Sequence, residues 1–381
     1  MAAEKVGLGT IAWEWGRIGC TGFGGPPTHI ALLRRLCVER RKWIPAAEFE
    51  DGIAATNLLP GPASTQLAIL TAWRLRGVPG ALVGGALFIL PGLVLILALA
   101  ALFLEGSPPL WVRGAAAGAG AAVAAVAVQA AVSLVPASWQ RAGEGRARWV
   151  LYLLAGAVAA VLIGPWMVLV LVAAGLLEVA RHTRRERLAV WPLPLPLAVA
   201  APAVGGLLSL AWVAFKVGAL SYGGGFVIIP LMQADAVHQY HWMTDGQFLN
   251  AVALGQITPG PVVQTVAVVG YAAAGVPGGL LAAAVAFAPS FLFVILGGPR
   301  FDALRAAPAV QAFFGGATPA VIGAIAGSAV PLALALQHLW QYGVLALAAL
   351  WLLPTRRGVV PALLAAAALG VLAAAAGWPV A

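Results

Sequence analysis

The chain has 381 residues, of which 62% are apolar by type and only 9% are charged, against about a quarter charged in soluble domains. That composition excludes a water-soluble globular enzyme. A formal net charge of +9 invites a nucleic-acid partner, but basic residues in so apolar a chain report membrane topology first, and none is expected.

Residues 1–10 hold one lysine and one glutamate and lead into a run without a small-residue cleavage site, so no cleaved leader is expected. Six apolar elements follow, at about 8–33, 47–73, 80–104, 114–135, 149–163 and 165–179. Stretches such as 81–104 are apolar all round and match the ~20 residues that a helix needs to cross a bilayer. Barrel strands would instead read as short alternating segments. The second element is interrupted at Pro60-Gly61-Pro62. Proline there removes amide donors and collides with the preceding turn, and non-helical backbone at membrane depth persists only where protein encloses it. That element is expected to be re-entrant. An Arg- and Pro-rich linker, expected on the cytoplasmic side, follows at 181–197, and the same plan begins again at about residue 198.

The chain is therefore expected to be a duplication. Pro60-Gly61-Pro62 recurs as Pro259-Gly260-Pro261, an offset of 199 residues (259 less 60), and the same offset pairs Trp13 with Trp212, Gly24-Gly25 with Gly223-Gly224, and Trp43 with Trp242. Further on, Gly77-Val78-Pro79-Gly80 matches Gly275-Val276-Pro277-Gly278 at 198 (275 less 77). The expected domains are a first repeat, 1–180, and a second, 198–381. With each second element re-entrant, a repeat has five crossings, an odd number, and the second is inverted. All but four of the 22 basic residues then fall on one side, as the positive-inside bias requires. The expectation is an all-α polytopic membrane protein of two inverted-topology repeats. It has about ten transmembrane helices, two Pro-Gly-Pro broken re-entrant segments, and both termini outside the cytoplasm.

The four exceptions are Lys5, Arg113, Arg17 and Lys216, and the last two are equivalent at 199. A cation inside an apolar run costs about 3 kcal/mol on insertion scales and marks an ion or substrate path; its bland alternative is snorkelling to an interface. Beside each lies a glycine cluster, Phe23-Gly24-Gly25 and Tyr222-Gly223-Gly224-Gly225. Such clusters turn backbone amides toward an anion or simply allow helices to pack closely. Half-helices that start at Gly61 and Gly260, after the breaks at Pro60, Pro62, Pro259 and Pro261, aim positive dipole ends into a cavity. Asn57 and Gln256 offer neutral hydrogen bonds there or cap the broken ends. Glu50 and Asp51 are candidates for proton coupling, with pairing to the nearby arginines as the alternative. His29, His238 and His241 are expected at an interface. Cys20 and Cys37 lack the spacing of a metal set. With no Walker sequence, nucleophile elbow or dinucleotide fingerprint in view, neither catalytic residue, metal nor cofactor is expected, and an ion gradient is the expected energy source.

The segments 23–26 through 58–62 and 222–225 through 257–261 resemble the paired signatures of the chromate ion transporter family in its long two-domain form, over nearly the whole chain. The resemblance implies a multi-pass bacterial inner-membrane protein that exports chromate, driven by the proton motive force. Its partners would be chromate or a sulfate-like oxyanion, protons and membrane lipid; a homo-oligomer is compatible with it. A sulfate transporter and an anion channel are the rival readings.

Overall fold

The computed structural model describes residues 6–56, 61–104, 108–163, 167–185, 206–221, 228–297, 307–355 and 358–380. Among them the structure is all-helical. In chain order come α1 (Leu8–Thr21), α2 (Pro26–Arg34) continued by a π-helical turn (Arg35–Arg40), and α3 (Ala46–Thr56). Then follow α4 (Ala63–Leu104), α5 (Leu110–Ala142), α6 (Arg146–Leu162), α7 (Met167–Arg185) and α8 (Leu207–Leu220). α9 (Ile228–Gln233), with its own π turn (Ala234–Gln239), leads to α10 (Asp245–Ile257), α11 (Thr265–Gly297), α12 (Pro308–Leu334), α13 (Leu339–Thr355) and α14 (Val359–Ala375). The runs Ala63–Leu104, Leu110–Leu162, Val262–Gly297 and Pro308–Leu334 are long and apolar enough to cross a membrane.

Local features recur at the offsets read from the sequence. Both π turns, α1 and α8, and the non-glycine residues Lys42 and His241 with φ near +50° are each 199 residues apart. Gly61 and Gly260 take φ of 120° and 100°, values that a β-carbon resists.

α4 is not one rod. At Arg76 and Gly77 the backbone leaves helical geometry, with Gly77 at φ 63°, and the chain doubles back. A β-carbon built on Gly84 would strike the Ala72 side chain, and one on Gly85 would meet Ile69 at 2.8 Å. The short arm (63–75) therefore runs antiparallel to the long arm (78–104). Pro79 sits in the first turn after the reversal, where its missing N–H costs nothing. α11 repeats the turn at Ala274 and Gly275. Arg74 pairs with Glu48 at 2.8 Å, so the short arm ends beside the start of α3.

The first element departs from expectation. It breaks at Gly22–Gly25, and the chain returns on itself: Arg41 donates to Glu14 at 2.8 Å and Trp43 stacks with Trp15. α1 runs parallel to the long arm of α4, with Ile11 beside Gly84, Gly16 beside Leu87 and Gly19 against Phe88. Since the long arm starts at the Gly77 turn, α1 starts on that same side. The element is a hairpin rather than a single crossing, because consecutive glycines followed by Pro26 and Pro27 cannot continue a helix.

The two long arms are antiparallel to each other: Gly85 faces Phe291, and Gly279 faces Leu97. Around this core, α5–α7 and α12–α14 form a frame packed through small residues. α6 meets α12 where Gly156 touches the Ala320 backbone and Gly323 touches that of Leu153. α5 meets α14 where Gly114 and Gly118 abut Gly370 and Ala366. In each case a β-carbon would overlap a carbonyl.

Candidate functional site

Each of the two breaks lies against the long arm of the other region. Gly92 of α4 lies under the second break, where an added β-carbon would overlap the Pro259 carbonyl and come within 2.5 Å of Gln264 Oε1. Its equivalent at 198, Ser290 of α11, lies under the first, with Oγ 3.2 Å from where a Gly61 β-carbon would stand. Gln264 Nε2 donates to the Ile89 carbonyl at 2.7 Å, and Gly260 N donates to the Gly22 carbonyl at 3.1 Å. Each region's break is thus tied to the other region's helices.

Polar side chains are buried beside the breaks: Ser64, Thr65, Gln66, Gln264, Thr265 and Ser290 are each no more than 2% exposed. Buried polar atoms are nearly always satisfied. Here Thr65 Oγ1, Gln264 Oε1, Gln256 Nε2, Ser221 Oγ and Ser290 Oγ lack a hydrogen-bond partner among the described residues. Unsatisfied groups beside the breaks, Thr65 and Gln264 at helix starts, Gln256 at a helix end and Ser290 within α11, are what a polar ligand would complete.

Of the residues expected at the site, Gly61, Pro62, Gln256, Pro259, Gly260 and Pro261 are all buried at the breaks. Gly25 comes close to Val262 of the second break, while Phe23 and Gly24 are exposed. Asn57, Pro60, Tyr222, Gly223, Gly224 and Gly225 lie outside the described residues.

The cations are not free. Arg17, about half exposed, pairs with the buried Glu14 at 2.9 Å, and Arg41 engages the same carboxylate at 2.8 Å. Lys216 pairs with Asp235, 1% exposed, at 2.7 Å. These carboxylates are not repeat equivalents: Glu14 corresponds to Val213, and Asp235 to Leu36. Each region neutralises its cation from a different element, the second by the π turn, whose extra residue rotates Asp235 toward α8.

Glu50 is half exposed and bonded to Arg34, which also reaches Glu39; Asp51 is exposed. This is the pairing alternative, so Glu50→Gln should leave the pH dependence of transport unchanged in vesicle flux assays at stepped pH. A loss of that dependence would return Glu50 to a coupling role.

His29 was expected at an interface. It is fully buried instead, with Nε2 2.8 Å from the Gly22 carbonyl, Nδ1 3.2 Å from Ser64 Oγ, and its ring edge-on to Phe88. The turn at Gly22–Gly25 carries it inward. His238 and His241 are exposed. Residues 9–179 and 208–374 each match the sequence profile described as chromate transporter. The chain belongs to the chromate transporter family. Within that family it is 36% identical, over 83% of its length and 80% of the relative's, to the chromate transport protein of Cupriavidus metallidurans. It is 31% identical to the probable chromate transport protein of Synechococcus elongatus, over 88% of each chain. Identity is also 31% to the chromate transport protein of Pseudomonas aeruginosa, over 83% of this chain and 79% of that one. No solved structure matches. Family membership and the apolar helices make this a multi-pass membrane protein; the paired matched regions coincide with the segments that supply the two breaks.

Ser290, Ser221 and Glu14 were missed from the sequence. Ser290 was within reach, because the register that pairs Pro91 with Pro289 places it opposite Gly92.

Proposed function

We propose that the protein is a secondary transporter that exports chromate, or an oxyanion of the same tetrahedral shape, from the bacterial cytoplasm across the inner membrane. The observation that carries this reading is the pair of breaks seated against α4 and α11 beside buried hydroxyls and an amide, Thr65 Oγ1, Ser290 Oγ and Gln256 Nε2, that are free to donate. Half-helix starts supply amides and positive dipole ends for an anion. Serine, threonine and glutamine donate neutral hydrogen bonds without fixing the dianion too firmly to release. The names of the relatives supply the substrate.

In this proposal residues 1–180 and 198–381 are inverted halves. Each has two hairpins that reach the midplane from one face, α1–α2 with α3 and the short arm of α4, and their counterparts. Four crossings follow in each half: the long arm of α4 and α5–α7, then the long arm of α11 and α12–α14. α7 ends and α8 begins on opposite faces, which places the start of α1 on the basic face and the end of α14 on the other. This replaces the expected ten crossings by eight within the described helices while keeping the basic clusters on one side.

A cavity on the basic face is lined by Arg141, Arg181 and Gln311 and by Arg148, which is paired with Glu178, and its excess of cations suits anion entry from the cytoplasm. α10 packs on α5 and α14, whereas α3 packs chiefly on α4, an asymmetry that fits a state open toward that face. Export of a dianion toward an outside-positive face draws about 2.3 kcal/mol per charge at 100 mV, so the membrane potential alone drives it.

Everted membrane vesicles energised by respiration should accumulate chromate, excess sulfate should compete, and Thr65→Ala combined with Ser290→Ala should reduce accumulation at matched protein level. Failure of the wild-type protein to accumulate chromate would overturn the export reading.

A further inference from the structure

We propose that His29 is the proton site linked to the oxyanion at the breaks, so that the two bind together; the proposal rests on the reading of the breaks as the oxyanion site. The hydrogen bonds fix the ring's starting state. A carbonyl oxygen only accepts, so Nε2 carries the hydrogen directed at Gly22, and Nδ1 of the neutral ring accepts the Ser64 hydroxyl. The Gly22 carbonyl also takes the Gly260 amide. His29 therefore touches the first break through Ser64 and the second through Gly22.

A proton added at Nδ1 turns that acceptor into a donor. Ser64 Oγ must then accept from the ring, and its own hydrogen swings away, free to bond an anion. Ser64 lies in the first turn of the short arm of α4, a positive helix end that opposes a cation until an anion sits on it. With a dianion in place the same charge is attracted across a short, water-poor gap. By linkage, each ligand then strengthens binding of the other.

Among the described residues, no other charged group is bonded to the ring. On the elements packed against His29, Glu14 holds Arg17, Arg40 and Arg41. Arg34 holds Glu39 and Glu50, Arg74 holds Glu48, and Asp51 and Lys42 are exposed. Arg35 and Arg76 are cations that cannot release a proton, and the thiols of Cys20 and Cys37 are not bonded to the ring. The residue equivalent to His29 at 199 is Ile228, so each molecule has one such site. One net negative charge, rather than two, then crosses with each chromate.

Calorimetry of chromate binding to the full-length purified protein, in buffers of differing ionisation enthalpy between about pH 5 and 8, counts the protons taken up. Free chromate gains its own proton in this range, equally for every variant, so the difference between wild type and His29→Gln reads the histidine. The expected result is extra proton uptake by wild type and an affinity that weakens on the order of tenfold as pH rises, both lost in His29→Gln. Identical uptake and pH slopes in the two proteins would overturn the proposal while leaving the oxyanion site intact. Absence of chromate binding to wild type would overturn the reading beneath it. Should His29→Gln fail to fold, nitrogen-15 histidine spectra of the wild type decide: a buried ring that becomes imidazolium on adding chromate is expected, and one that stays neutral refutes the assignment.

Discussion

Gly92→Val is expected to abolish chromate accumulation in everted vesicles while the protein still inserts in the membrane. The new side chain would have to occupy the space of the Pro259 carbonyl. A β-carbon is fixed by the backbone that bears it and the carbonyl is backbone itself, so neither can rotate aside. Overpacking a side chain costs about 1–3 kcal/mol, and here the strain falls on the contact that brings the second break against α4. The Gln264 to Ile89 hydrogen bond would be pushed apart with it. Gly343→Val is the matched control, since nothing lies within 4 Å of a β-carbon there. Transport at the control's rate by Gly92→Val would mean that the second break does not seat on α4 in the working protein.

A second large effect is expected at Lys216 and Asp235. Removing one partner of a buried ion pair leaves an uncompensated charge and costs about 3–5 kcal/mol. Asp235→Leu should accordingly lower the thermal unfolding midpoint of the purified protein by several degrees. Lys216→Leu combined with Asp235→Leu should recover most of that loss, because a well-packed apolar pair replaces the ions at little cost. Transport by the stable double variant then separates two roles. If Lys216 is a structural partner, accumulation persists; if it also contacts the oxyanion, accumulation is lost although the protein is stable. A double variant as unstable as Asp235→Leu would show that the pair does more than neutralise itself.

The third to sixth apolar elements of each half were legible because they are long and apolar all round, a pattern that needs no knowledge of direction. The Pro-Gly-Pro breaks were legible for the opposite reason: few backbones tolerate them. The hairpin in the first element was hidden because composition says nothing about which way a chain leaves a turn. Gly24 and Gly25 were read as a ligand cradle or as a place where helices pack closely, and the contact of Arg41 with Glu14 shows that the chain also bends there. The pairing of Lys216 with Asp235 was hidden too. Nineteen positions separate them (235 less 216), far from the three- or four-residue spacing of neighbours on one helix, and the π turn that joins them leaves no compositional mark. His29 was read as interfacial because nothing in a lone histidine reveals the depth to which a later turn carries it.

The glycine contacts of the frame bear on how such a molecule can change shape. Where carbonyl meets glycine with no space for a methyl group, as between α6 and α12 or α5 and α14, helices interlock like cogs and cannot slide by small amounts. The frame is therefore a rigid stator. Core and frame meet through α10, resting on α5 and α14, and through α9 against α12, and these seams lack the carbonyl-on-glycine contacts that lock the frame. A cycle built on these parts would carry the paired breaks past the stator as a single cargo-bearing block, rather than opening and closing by bending the helices that enclose them.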